Sequence, residues 1–164
     1  MAGKVKTIPD GFRTLTPYLV VRNAAKAIEF YKKAFAAEAR SVHYSLDGKI
    51  MNADLRIGDS ALLLSDEFPG AQCRSPQSIR GTSVTIHIYV EDVDGWFNRA
   101  VSAGATILMP VMDMFWGDRY GQLKDPFGHH WSLATHKEDP TPEEIERRAK
   151  EVFAKMASQG QHQA

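Results

Sequence analysis

Apolar positions along the chain switch twice between a period of two and a period near 3.6. Thr16-Pro17-Tyr18-Leu19-Val20-Val21 reads as a strand, and after Arg22-Asn23 the residues Ala24, Ala27, Ile28, Tyr31 and Phe35 recur at helical spacing. The same order returns in Thr85-Ile86-His87-Ile88-Tyr89-Val90, then Glu91-Asp92, then Val93, Trp96, Phe97, Ala100, Val101 and Gly104. Val21 and Val90, like Asn23 and Asp92, lie 69 positions apart, and each half places Asn or Asp where a helix N-cap belongs. Strand material follows each helix. In the first half Glu38 to Ser45 is extended, Leu46-Asp47-Gly48-Lys49 turns, Ile50 to Ile57 alternates, Gly58-Asp59 turns and Ser60 to Ser65 is apolar. In the second, Ala105 to Val111 is extended, Met112 to Asp118 is irregular, Tyr120 to Lys124 is a strand, Asp125-Pro126-Phe127-Gly128 turns and His129 to Thr135 closes the set. The pattern predicts two copies of a β-α-β-β-β module.

The flanks complete the layout. Residues 1–13 form an N-terminal arm, 14–66 the first module, 67–81 a linker, 82–136 the second module and 137–164 a C-terminal amphipathic helix with its tail. The linker holds prolines, glycines, Cys73 and Arg74 and is expected to be either a solvent-exposed linker or a loop flanking a site. Thr141, Pro142 and Glu144 form a capping box, and Ile145, Ala149, Val152, Phe153 and Met156 make one apolar stripe. That helix is expected to dock on the body or on a second subunit, with a frayed tail from Gly160 to Ala164.

With 164 residues, 43% hydrophobic and 24% charged, the chain has ordinary globular composition and enough apolar material for a real core. Twenty basic residues balance twenty acidic ones, which leaves no electrostatic footprint for nucleic acid. A single cysteine, Cys73, excludes an internal disulfide and a thiolate cluster. No apolar run is long enough for a signal-peptide core or a membrane span, so the expectation is a cytoplasmic protein without membrane partners.

The two-copy order resembles the vicinal oxygen chelate (glyoxalase / bleomycin resistance / dioxygenase) superfamily. The likeness is carried by Thr16-Pro17-Tyr18-Leu19-Val20-Val21, Ala27-Ile28-Glu29-Phe30-Tyr31-Lys32-Lys33-Ala34-Phe35, Leu55-Arg56-Ile57-Gly58-Asp59-Ser60, His87-Ile88-Tyr89-Val90-Glu91-Asp92-Val93-Asp94 and Asp125-Pro126-Phe127-Gly128-His129. It covers roughly residues 10–136, and its wording looks like the PhnB-like branch. The resemblance implies an α+β fold in which two βαβββ modules form a half-open curled sheet around a cavity, a glyoxalase-like fold commonly assembled as a homodimer. It also implies metal ligands on the first and last strand of each module. At the matching positions this chain has Thr16, Leu64, Thr85 and Ser132, none a competent ligand for a divalent transition metal. No cofactor is therefore predicted at the usual site.

Strand alternation then selects what else faces the cavity. Thr16 brings Tyr18 with it, Thr85 brings His87 and Tyr89, and Ser132 brings His130 and Ala134. On the strand from Met51 to Ile57, the apolar set Met51, Ala53, Leu55 and Ile57 is expected to face the helices, leaving Asn52, Asp54 and Arg56 on the concave face. Trp116, Arg119 and Tyr120 are placed on a rim. His129 and His130, being adjacent, point to opposite faces, so only His130 is a site candidate. Asp54 and Arg56 either pair with each other or bind ligand, and His87 is either a hydrogen-bonded pocket residue or a proton-transfer group.

Two functions stay open on these residues. One is a protein that binds a small organic ligand in the cavity, with Tyr18, Asn52, Arg56, Tyr89, Trp116, Tyr120, His130 and Ser132 as ligand-binding residues. The other is a metal-dependent lyase, isomerase or dioxygenase with a rebuilt site for Zn, Fe, Ni or Mn from His87, His130 and Asp54, or with His87 and Asp54 as acid and base.

Overall fold

A computed structural model describes residues 5–160; the first four residues of the arm and the tail beyond residue 160 lie outside them. The first module runs β1 (Tyr18–Val21), α1 (Ala24–Phe35), β2 (Glu38–Tyr44), β3 (Ile50–Ile57) and β4 (Ser60–Asp66). A short helix, α2 (Pro76–Ile79), interrupts the linker. The second module runs β5 (Thr85–Tyr89), α3 (Val93–Ala103), β6 (Thr106–Asp113), β7 (Asp118–Lys124) and β8 (His130–His136), and α4 (Pro142–Gly160) follows. The strand orders β1-β4-β3-β2 and β5-β8-β7-β6 repeat one topology. Each helix carries the chain from an edge strand to the far edge. Two hairpins then walk back until the last strand lies parallel to the first.

The same devices start both helices. Asn23 accepts from the Lys26 amide at 3.0 Å and Asp92 from the Gly95 amide at 3.0 Å. Asp66, at the end of β4, accepts from the Ala24 amide at 2.8 Å; its counterpart Thr135 accepts from the Val93 amide at 2.9 Å. The first helix ends at Ala36 and the second at Gly104, both with positive φ.

The modules share one hydrophobic core rather than two. Helices α1 and α3 pack together, and the Arg99 Nε donates to the Ala34 carbonyl at 3.0 Å. Tyr31 and Phe35 of α1 pack against Trp131 of β8 in tilted arrangements, with ring centroids 5.4 and 4.7 Å apart. Asp125, in the β7–β8 turn, accepts from the Tyr31 hydroxyl at 2.7 Å and from the Trp131 indole at 2.9 Å. Its other oxygen accepts from the amides of Phe127 and His129, both at 2.9 Å, so one carboxylate locks its own turn and ties it to the opposite module.

Most of the 67–81 linker is exposed, while Ser75 and Pro76 are buried where Ser75 caps α2 and donates to Glu67 at 2.6 Å, as does Ser78. Two expectations need correction. On β3, Ala53 and Leu55 face the core, but Met51 is exposed and Ile50 is buried in its place. A register shift opposite Ile50, between His43 and Tyr44, breaks the alternation there. Leu64 is fully buried in the core and does not face the cavity. The register puts Leu63 beside Tyr18 and Ser132 beside His87, so Leu63 is the counterpart of Ser132.

Candidate functional site

Each sheet turns its second face away from the helices, and the candidate residues divide between these two faces. On the second sheet the register forms three successive rows: Thr85, His130 and Lys124; His87, Ser132 and Gln122; Tyr89, Ala134 and Tyr120. On the first sheet Tyr18, Leu63 and Asp54 form one row, flanked by Asn52 and Arg56.

The second sheet carries the denser cluster. His87 Nδ1 lies 2.7 Å from the Ser132 hydroxyl, which is buried. The His87 imidazole meets the Tyr89 ring edge at 4.5 Å and lies nearly parallel to Tyr120 at 6.0 Å. Trp116 closes on Tyr120 at 5.6 Å. Burial holds the imidazole below its usual value against the opposing charge of Asp118, so His87 is neutral near pH 7 and presents one ring nitrogen beyond the serine bond.

Asp118 anchors the rim. It accepts from the Tyr89 hydroxyl at 3.0 Å, the Trp116 indole at 3.1 Å and His136 Nδ1 at 2.7 Å. Burial works to raise this carboxyl, but the bonds from His136, Tyr89 and Trp116 outweigh it and hold it below the ordinary range. His136 in turn reaches Asp139 at 2.9 Å, and its bond to Asp118, then that to Asp139, raise it above its usual value. Arg119, placed on the rim from sequence, faces away and pairs with Asp94 and Asp113.

On the first sheet the Tyr18 hydroxyl sits 3.4 Å from the Asn52 amide and from the Met51 carbonyl. Arg56 pairs with Asp54 at 3.4 Å along the same strand. These residues are separate from His87 and His130, and no three His, Cys, Asp or Glu side chains among the described residues converge on a metal-holding position. The trio His87, His130 and Asp54 is not assembled within one chain. With Thr16, Leu63, Thr85 and Ser132 at the ligand positions of the fold, the donor set does not fit a divalent transition metal.

A cavity of about 750 Å³ lies beside the second face, between the free edge of β5, the β3–β4 turn and the arm residues Arg13 to Pro17. It takes in His87 and Tyr89, but its floor is Trp96 and Trp131 on the helix side of the sheet. The corresponding edge of β1 is covered, because His129 Nε2 lies 3.2 Å from the Val20 carbonyl.

Sequence reasoning missed Asp118, Gln122 and His136. Continuing the alternation from His130 through Ser132 and Ala134 reaches His136, so that residue was within reach. Asp118 was not, because it falls in the stretch read as irregular.

Two βαβββ modules with open polar faces define a glyoxalase-like protein. The Glyoxalase/Bleomycin resistance protein/Dioxygenase superfamily profile matches residues 13–133, and the chain belongs to that superfamily. It is 46% identical over 149 residues to an uncharacterized protein of Mycobacterium bovis, covering 89% of this chain and 93% of that one. Among solved structures it is similar to TioX from Micromonospora sp. ML1, with a TM-score of 0.62, 25% identity and coverage of 76% of this chain and 98% of the other. A PhnB protein from Bacillus cereus shares the fold at a TM-score of 0.60, 19% identity and coverage of 75% and 99%. No described helix is long and apolar enough to cross a membrane.

Proposed function

We propose that the protein binds a small planar organic ligand against the second sheet, without the superfamily's usual metal, and acts as a homodimer in the cytoplasm. The observation that carries this reading is an open aromatic cluster around a neutral imidazole. Tyr89, Tyr120 and Trp116 wall the Ser132-held His87. Aromatic faces supply stacking area, and a neutral histidine supplies one directional hydrogen bond, the usual make-up of an organic-ligand pocket. The adjoining cavity gives room of the right size.

Exposed apolar side chains support the dimer. Tyr18 and Tyr89 are 49% and 62% exposed, and Phe153 and Met156 of α4 are 60% and 61% exposed. A two-fold copy opposing the first face of one chain to the second face of the other would cover the exposed Tyr18 with the second-sheet cluster. A second reading, proton transfer by His87 on the same ligand, is favoured by its lowered basicity.

The test is a calorimetric and Trp-fluorescence screen with aromatic heterocycles and quinonoid compounds, run on wild type, Tyr120→Ala and Trp116→Ala. Micromolar binding that weakens at least about tenfold in both variants is expected, in line with the loss of one stacked ring. A screen without a binder, or a binder indifferent to both substitutions, sinks the proposal. Product formation lost in His87→Ala would move the assignment to catalysis.

A further inference from the structure

The first sheet has an occupant of its own. The arm crosses it and is held by Arg56, whose Nη1 donates to the Gly11 carbonyl at 2.7 Å and Nη2 to the Asp10 carbonyl at 3.4 Å. The Phe12 ring lies over the guanidinium, 4.6 Å from its central carbon. Gly11 has a φ of +80°, and a Cβ there would meet the guanidinium at 3.0 Å, so this contact needs glycine for backbone and space alike. Beyond Phe12 the arm buries almost nothing, because residues 5–11 and 13–15 are exposed. The side chains beneath are not exposed: Arg56 retains 12% and Asp54 15% of their area. Asp54 Oδ1 is buried and has no hydrogen-bond partner among the described residues.

These parts make a site with a weak cover. Two carbonyl oxygens in line with a guanidinium stand where a carboxylate would make a bidentate pair, with stronger charge-assisted bonds. The Phe12 ring stands where a ligand ring would stack. The orphan Asp54 oxygen asks for a donor that the arm does not bring, and such an atom is worth satisfying. We propose that the arm is an autoinhibitory strap over an Arg56–Asp54 subsite, and that the subsite takes an aromatic carboxylic acid bearing a hydroxyl or amino donor. The proposal goes beyond the second-sheet reading: it gives the first sheet a ligand class and a control of its own.

Because the strap and the ligand compete, apparent affinity is reduced by the fraction of molecules whose strap is closed. The test titrates 3-phenyllactate, whose hydroxyl adjoins the carboxylate and whose ring can fold over the guanidinium, into full-length wild type, Phe12→Ala, Arg56→Met and Tyr120→Ala by calorimetry, and follows trypsin cleavage after Arg13 during the titration. Phe12→Ala is expected to bind about tenfold tighter than wild type and to be cut faster without ligand. In wild type, cleavage after Arg13 should accelerate in step with occupancy, and Arg56→Met should not bind. Equal or weaker binding by Phe12→Ala, saturation that leaves Arg13 cleavage unchanged, or no binding to wild type and Phe12→Ala alike overturns the proposal. Binding lost in Tyr120→Ala but kept in Arg56→Met overturns it while upholding the second-sheet site. The reverse pattern upholds it and removes the second-sheet site.

Discussion

Replacing Asp125 by alanine tests the junction that sets the two faces relative to each other. Asp125 is 3% exposed, Tyr31 and Trp131 are 0% and 1% exposed, and the carboxylate serves four donors. Burial, followed by the charge of Asp125, raises the Tyr31 hydroxyl well above its usual value, so it remains a donor throughout the working pH range. Alanine strands the Tyr31 hydroxyl, the Trp131 indole and two turn amides in a dry core. At about 1–3 kcal/mol for each stranded group, the expected loss is at least about 4 kcal/mol. Tyr31→Phe removes one donor and relieves its desolvation, so its expected loss is only about 1–2 kcal/mol, or about 3–6 °C in Tm for a chain of this size. Urea unfolding followed by Trp fluorescence, with equal m-values required, gives both numbers. A loss below about 1 kcal/mol for Asp125→Ala, or equal losses for the two variants, refutes the convergence of donors on this carboxylate.

Histidine titrations by NMR should place the His87 midpoint below 6.5 and the His136 midpoint above it. His136 stabilises the fold fully below 6.5 and loses that contribution as pH rises through its folded value, whereas His87 costs stability as pH falls below 6.5; midpoints in the opposite order contradict both environments. Gly121→Ala would bring a Cβ to 2.7 Å from the Phe97 ring and 3.0 Å from Val111, and thermal unfolding should show a loss of about 1–3 kcal/mol; an unchanged Tm means α3 does not sit that close to β7. Elemental analysis of protein purified without chelator should find well under one Zn, Fe, Ni or Mn per chain, and a stoichiometric metal lost in His87→Ala would show that the dimer builds a site from donors one chain keeps apart.

The repeat at 69 residues was legible because both halves use the same alternation and the same Asn or Asp cap, so module topology followed from pattern alone. The Thr141–Glu144 capping box was legible for the same reason: its two reciprocal bonds are local, at 3.0 and 3.3 Å. What depends on distant partners was not. Strict alternation assigns Met51 to the core, but β3 bulges at Met51 itself, where the partner strand passes from His43 to Tyr44 while β3 passes from Asn52 to Ile50, and only the pairing with β2 reveals it. For β4 the sequence in fact holds the answer: the 69-residue offset counted back from Ser132 lands on Leu63, and Leu64 corresponds to the equally buried Leu133, so an apolar run without alternation hides which of its leucines faces out. The grip of Arg56 on the arm joins residues 45 apart in sequence through backbone carbonyls, which carry no side-chain signature.

Strand β5 serves two surfaces with two kinds of group. The amide of Val90, just past the strand's end, points inward to the Ala134 carbonyl, so the amides and carbonyls of Tyr89 and His87 point the other way, to the uncovered edge that bounds the cavity. Their side chains meanwhile furnish the open face. Main-chain groups are unchanged by substitution, so descendants of this sequence can rewrite the chemistry of the face at positions 87 and 89 while the polar lip of the neighbouring cavity stays as it is. Ligand preference can drift on one side of a single strand without disturbing the doorway on the other.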